Sequence, residues 1–274
     1  TNAAPETACD AVVNGFGTVE PDQRGDTGTI CVARILEQLA VETPVSLAGS
    51  MGAVRRISRT VSPEAQAHLF GAHLALVDTH REAVHPVLSD LLSAFETADS
   101  DTRRVAADLL CALATHPEDG PVIVTELIHW LATHTCTPNE HRRRVDPRDS
   151  LMTPTLTDTP PDGVLGVTQI LARIAEETPA AVAPHVADIA SSLATWESTP
   201  MDQQPRRHLA RALAAVARQR PQSLDVTIAN VRTLLADDSE FVRYWATQML
   251  RVLFPHRPDA VSAPILTDRL TDSN

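Results

Sequence analysis

Two side-chain clusters in this chain carry atoms suited to chemistry, and they lie beside each other. His129, His134, Cys136 and His141 bring imidazole nitrogens and a thiol, the donor types that hold zinc. Their spacing is irregular and no C-x-x-C pair supports them. Surface histidines are the plainer reading, and no metal or other cofactor is expected. Next come Arg142, Arg143 and Arg144, followed by Arg148. Guanidinium forks suit phosphate or carboxylate. Asp146 and Asp149 dilute this charge and no aromatic residue stands nearby. Nucleic acid usually needs a wider basic footprint with stacking rings, so salt bridging to the acidic body or to a partner's carboxylates ranks above it. Arg206, Arg207 and Arg211 form a second basic cluster, able to line one helix ridge.

Aromatic rings are few. Trp130, Trp196, Tyr244 and Trp245 stand out, with Trp245 expected to pack between helices and Trp196 in a turn near Pro200. An exposed Trp is a plausible interface anchor. Arg142, Arg143, Arg144 and Trp196 are therefore the candidate partner contacts. The chain has no G-x-S-x-G, P-loop, G-x-G-x-x-G or H-E-x-x-H motif. No catalytic residue is assigned, and a non-enzymatic protein is expected.

The elements that must position these residues follow from a repeat. Pro44, Arg81, Glu118, Pro179, Pro221 and Pro258 serve as anchors, spaced 37, 37, 61, 42 and 37 residues apart. Five residues before them stand Leu39, Leu76, Leu113, Ile174, Val216 and Leu253. Eight before stand Leu36, His73, Leu110, Leu171, Leu213 and Leu250. Nine and four before, the residues are again apolar or small. This is helical periodicity at the repeat length of stacked helix pairs. First helices are expected over about 27–41, 63–79, 100–115, 164–177, 203–218 and 239–254, starting at Asp26, Ser62, Ser100 and Asp238–Ser239 where these polar residues can cap. Second helices are expected over about 45–58, 82–96, 119–132, 180–194, 222–236 and 259–270. Pro at the anchor blocks continuation of the first helix and suits the first turn of the second.

The long gap contains an insertion over 133–163, with five prolines and no apolar periodicity, read as a loop. Residues 1–25 read as an N-terminal partial cap: a short helix over 4–13, with Asn14–Gly17 suited to a left-handed helix end. The division is thus 1–25, repeats 1–3 over 26–132, the insertion over 133–163, and repeats 4–6 over 164–274, in one continuous domain.

Composition narrows the class further. Of 274 residues 43% are hydrophobic but only 3% aromatic, so the core must be aliphatic. All 23 basic residues are Arg, against 35 acidic ones, for a net charge of -12. Lys-free, Asp- and Thr-rich composition resembles proteins of salt-in halophilic archaea, with a GC-rich bacterium as the alternative. At molar salt the screening length is only about 3 Å, so net charge says little about partners. Cys31 and Cys111 read as small buried residues within helices. The four cysteines do not form a disulfide framework, and neither a signal peptide nor a membrane span is evident, so a cytoplasmic location is expected.

Two segments carry a family resemblance. Asp101-Thr-Arg103 followed by Ala106, Leu110 and Leu113 resembles the HEAT-repeat consensus, as does Asp238-Ser-Glu-Phe-Val242-Arg243 followed by Ala246, Leu250 and Leu253. Arg207, Ala210 and Ala217 look like a degraded copy. The resemblance implies an all-α, right-handed α-solenoid of about six stacked antiparallel helix pairs, with one long loop insertion. It also implies that Asp101, Arg103, Asp238 and Arg243 form a structural ladder between repeats. The function it implies is a protein-interaction scaffold or adaptor. The alternatives are a nucleic-acid binder or DNA-repair glycosylase-like protein using the Arg loop, and a structural subunit of a larger assembly.

Overall fold

Four nearly identical turns lie at the anchors, three of them at a proline. In the computed structural model, the residue before the anchor donates its amide to the carbonyl four residues back: Thr43 to Leu39, His80 to Leu76, Thr178 to Ile174 and Arg220 to Val216, each at 2.7 Å. The residue two past the anchor then donates back to the one before it, as Ser46 does to Thr43 and Ala181 to Thr178. Proline fits at the anchor because its missing amide would have no partner in a first turn. Each turn reverses the chain and starts a second helix.

The structure describes residues 11–13, 15, 26–97, 99–134, 162–195 and 203–256. Every regular element among them is helical, and the fold is all-α, of the solenoid type. The chain divides into two compact units, Thr1–His116 and Pro117–Asn274.

In the first unit, α1 (Asp26–Glu42), α4 (Pro63–Leu76) and α7 (Ser100–Ala114) are first helices, packed α1 on α4 and α4 on α7. Between them run α2 (Pro44–Ala48) with α3 (Met51–Ser58), then α5 (Arg81–Val84) with α6 (Leu88–Thr97). In the second unit, α8 (Gly120–His134) precedes α9 (Asp162–Glu177), α12 (Gln203–Gln219) and α14 (Glu240–Leu253). The second helices there are α10 (Pro179–Val182) with α11 (Val186–Thr195), and α13 (Ile228–Leu235) after a 3-10 stretch, Pro221–Thr227. Helix α9 packs on α12 and α12 on α14.

The anchored apolar positions form the core. Leu36, Leu110, Leu171 and Leu213 are buried, as are Leu76, Leu113, Ile174, Val216 and Leu253. His73 takes a leucine position and is equally buried, its Nδ1 2.8 Å from the Leu69 carbonyl. Thr102 reaches across first helices, its hydroxyl donating to the Pro63 carbonyl at 2.7 Å.

Several expectations need amendment. Three second helices are not continuous. Each breaks five residues after its anchor, at Gly49, Pro86 and Pro184, and α5 and α10 pass into 3-10 turns at His85–Val87 and Ala183–His185. A proline there removes the i→i−4 bond and clashes with the preceding turn. In α8, Pro117 and Gly120-Pro121 shift the register: Thr125 is exposed, whereas Ile123, Val124, Leu127 and Trp130 are buried. Cys31 is exposed, although Cys111 is buried. Gly15 is itself helical, and no described residue has positive φ. The remainder of the cap over 1–25, residues 135–161 of the insertion and the helix expected over 259–270 lie outside the described residues.

Candidate interaction surface

Charged side chains fasten neighbouring repeats, and their register differs from the one the consensus suggests. Arg243 lies fifteen residues before its anchor, and its Nη1 donates to the carbonyls of Asp237 at 2.6 Å and Asp238 at 2.8 Å. It clasps the turn ahead of its own helix. Gln66, at the same position in α4, donates to the Ser58 carbonyl at 3.2 Å. Arg206 is the equivalent residue in α12, rather than Arg207, and it pairs with the carboxylate of Asp237. Both of these side chains are nearly buried, at 3% and 10% exposure. Asp99, not Ser100, caps α7, accepting from the Thr102 amide at 2.8 Å. Asp101 and Asp238 are exposed, while Arg103 follows one turn into α7.

Two other clamps were invisible to the repeat pattern. Asp90 takes Arg55 at 2.7 Å and Arg59 at 2.8 Å, joining α6 to α3 and the turn after it. In the first-helix layer, Arg34 Nε donates to His68 Nε2 at 3.0 Å, and His68 Nδ1 lies 2.7 Å from Glu37. Because the guanidinium only donates, His68 must accept at Nε2 and donate at Nδ1. A cleft of about 590 Å³ adjoins this unit's second turn, lined by Ala48, Asp78, Thr79, His80, Arg81, Glu82 and Ala83. Its lining charges are of both signs, so it favours neither anion nor cation.

Of the metal-type residues, His129 is exposed on α8. His134 stacks on Trp130, with centroids 3.9 Å apart, and its Nδ1 lies 2.8 Å from the Trp130 carbonyl. No group of three His, Cys, Asp or Glu is placed to hold a metal among the described residues. Cys136, His141, Arg142, Arg143, Arg144, Arg148 and Trp196 lie outside them.

The most distinctive outward surface is built by α12 and α14. Leu209, Ala210 and Ala212 to Ala217 are buried, whereas Arg207 and Arg218 are exposed and Arg211 is half-buried. These three share one helical stripe, at i, i+4 and i+11. Arg211 donates twice to the Glu176 carboxylate, both bonds 2.7 Å, and this raises the guanidinium pKa above its ordinary value. The Arg207 guanidinium instead lies 4.5 Å from the ring centroid of Phe241. Phe241 is 39% exposed and Tyr244 54%, and Tyr244 meets the half-buried Trp245 edge-on with centroids 5.2 Å apart. His208, between the arginines, is held neutral: burial first, then Arg211 and Arg207, lowers its pKa to about 4. This surface therefore combines free guanidinium edges with exposed aromatic faces. Sequence reasoning singled out Arg207, Arg211 and Tyr244, whereas Arg218 was not singled out and Phe241 stood only within the repeat consensus.

No protein-family model matches the chain. No curated protein matches it by sequence. Solved structures are similar in fold. One engineered protein is 17% identical, over 90% of this chain and 97% of its own, with a TM-score of 0.49. Another is 17% identical, over 89% and 98%, with a TM-score of 0.47. A designed armadillo repeat protein is 12% identical, over 89% and 99%, with a TM-score of 0.44.

Proposed function

We propose that this chain is a non-enzymatic protein-interaction scaffold, working through its repeat surface and its insertion. The observation that carries this reading is the outward surface of α12 and α14, where Phe241 and Tyr244 stay exposed beside Arg207. Aromatic residues and arginine are the residue types that dominate protein interfaces. Arg142, Arg143, Arg144 and Trp196 are proposed as further contacts, and Asp101, Arg103, Asp238 and Arg243 as residues that hold repeats in register. The Lys-free, acidic composition supports a salt-rich setting, where apolar and hydrogen-bonded contacts outweigh long-range charge.

The test is affinity capture in molar salt, comparing the intact chain with one in which residues 135–161 are replaced by a short Gly-Ser linker. This replacement leaves α8 and α9 whole. Loss of a defined protein partner with the segment supports the insertion's role. Partner capture by both chains confines binding to the helical surface, and capture of nothing by either counts against the scaffold reading.

A further inference from the structure

We infer that the α12–α14 face is a docking site for an acidic protein segment, one that presents carboxylates beside an apolar side chain. The inference rests on the scaffold reading and names the chemistry of its partner.

Charge is the first argument. From Gln203 to Arg220 the chain carries Arg206, Arg207, Arg211, Arg218 and Arg220 and no Asp or Glu, in a protein of net charge -12. Two of these arginines are occupied within the fold, Arg206 by Asp237 and Arg211 by Glu176. Arg207, Arg218 and Arg220 remain exposed without a carboxylate partner among the described residues. Arg218 Nε donates at 3.3 Å to the Ala214 carbonyl, a bond that spans one turn and holds the side chain along its helix. Arg207 lies over Phe241, which fixes its plane while its donor edge stays available.

Spacing is the second argument. Arg207 and Arg218 are eleven residues apart on one helix, a span of about 16 Å at 1.5 Å per residue. An extended segment covers that span in roughly five residues. Carboxylates at its two ends would meet the two guanidinium groups, and an apolar side chain near one end would rest on Phe241 and Tyr244.

The surroundings disfavour a long polyanion. Glu176 and Glu177 end α9 on one side of the basic stripe, and Glu240 begins α14 on the other. A nucleic-acid strand carries a phosphate at every step and would run onto these carboxylates, whereas a short acidic segment need not.

The test uses the full chain with three fluorescent probes: a short peptide of alternating Asp and Leu, the same peptide with Asn for Asp, and oligodeoxythymidylate. The Asp–Leu peptide should bind and the Asn–Leu peptide should not. Arg207→Gln and Tyr244→Ala should each weaken binding about tenfold, the scale of one lost charge-assisted bond or aromatic contact. Both positions are exposed, so the helical circular dichroism should be unchanged. Arg56→Gln, an exposed substitution on α3, should leave affinity as it was. Equal binding by parent and variants, no binding of the Asp–Leu peptide, or tighter binding of the oligonucleotide would overturn the inference. A cellular partner still captured by the Arg207→Gln, Tyr244→Ala double variant would overturn it too while leaving the scaffold reading intact. If the parent chain also captures nothing, both readings fail.

Discussion

Arg206 shows how much one buried charge depends on one partner. Its side chain is almost fully enclosed, and its Nε and Nη1 find no acceptor among the described residues. Asp237 carries its compensating charge. Removing only the carboxylate leaves an uncompensated buried cation, which typically costs about 3 kcal/mol or more. Asp237→Ala should therefore lower the denaturation midpoint sharply. Arg206→Met together with Asp237→Ala should recover most of the loss, because an apolar pair needs no compensation. If the double variant is no more stable than Asp237→Ala, the pair is not what holds this turn. His73 makes the complementary case for a neutral group. Burial lowers its pKa from 6.5 to about 4, against smaller opposing effects from the Leu69 carbonyl and from Asp90, while Arg55 lowers it further. The unfolded chain takes up a proton at this histidine below pH 6.5 and the folded chain does so only near 4. Stability is therefore lost as pH falls through that window, by roughly 3 kcal/mol in all, and stays level above it. His208 pulls in the same direction from a half-buried site. His73→Leu restores the residue type found at this position in α1, α7, α9, α12 and α14, and urea titrations across the window should show a shallower pH slope. An unchanged slope would place the acid sensitivity elsewhere.

Helices were legible to the degree that their signals are local. The first helices begin and end within about three residues of their expected bounds, because apolar spacing acts within one or two turns. The second helices were read as smooth runs, although Pro86 and Pro184 stood in plain view. Apolar periodicity continues through a one-turn 3-10 break, so the pattern alone conceals it. The residues expected to form a ladder are harder to read for a related reason. Asp101 and Asp238 share a residue type but lie at different distances from their anchors, and only contacts in space separate a cap from an ion-pair partner. Asp99 is that cap. The Thr102 amide holds the Asp99 carboxyl below its ordinary pKa. Its contribution is present above the ordinary carboxylate range and is lost as pH falls through the lowered value. Asp99→Ala should destabilise the chain by about 1 kcal/mol and Asp99→Ser by less, measured as shifts in thermal midpoint. Equal losses for the two would show that the cap bond is not the source. The docking surface was only half legible, since exposure of Phe241 depends on which helices lie beside α14.

Across the whole chain, the first helices share one largely buried face that α14 lacks. Positions eleven, seven and four residues before the anchor meet the next first helix. They are Phe70, Leu74 and Val77 in α4, Thr168, Ala172 and Ala175 in α9, and Ala210, Ala214 and Ala217 in α12, all buried except the half-buried Leu74. In α14 the same positions hold Thr247, Arg251 and Phe254, and all three are exposed. In the first unit Ile35 in α1 is 50% exposed, whereas its counterparts Ala72, Leu109, Ile170, Ala212 and Met249 are buried. In a repeat array, an apolar face of this kind accepts another copy as its next repeat. Contacts of that kind are head-to-tail and do not close, so they lead to chains of molecules. Thr247 and Arg251 are the polar elements of this face of α14, beside Phe254. Thr247→Ala with Arg251→Ala should restore an interior-type surface of two alanines and an aromatic ring. The double variant should then self-associate more than the parent at equal concentration, seen as rising mass in sedimentation or light scattering. Ile35→Glu added to it should reverse the gain if α1 of a second molecule is what docks there. A variant with the parent's mass at every concentration would show that the polar pair does not hold self-association down.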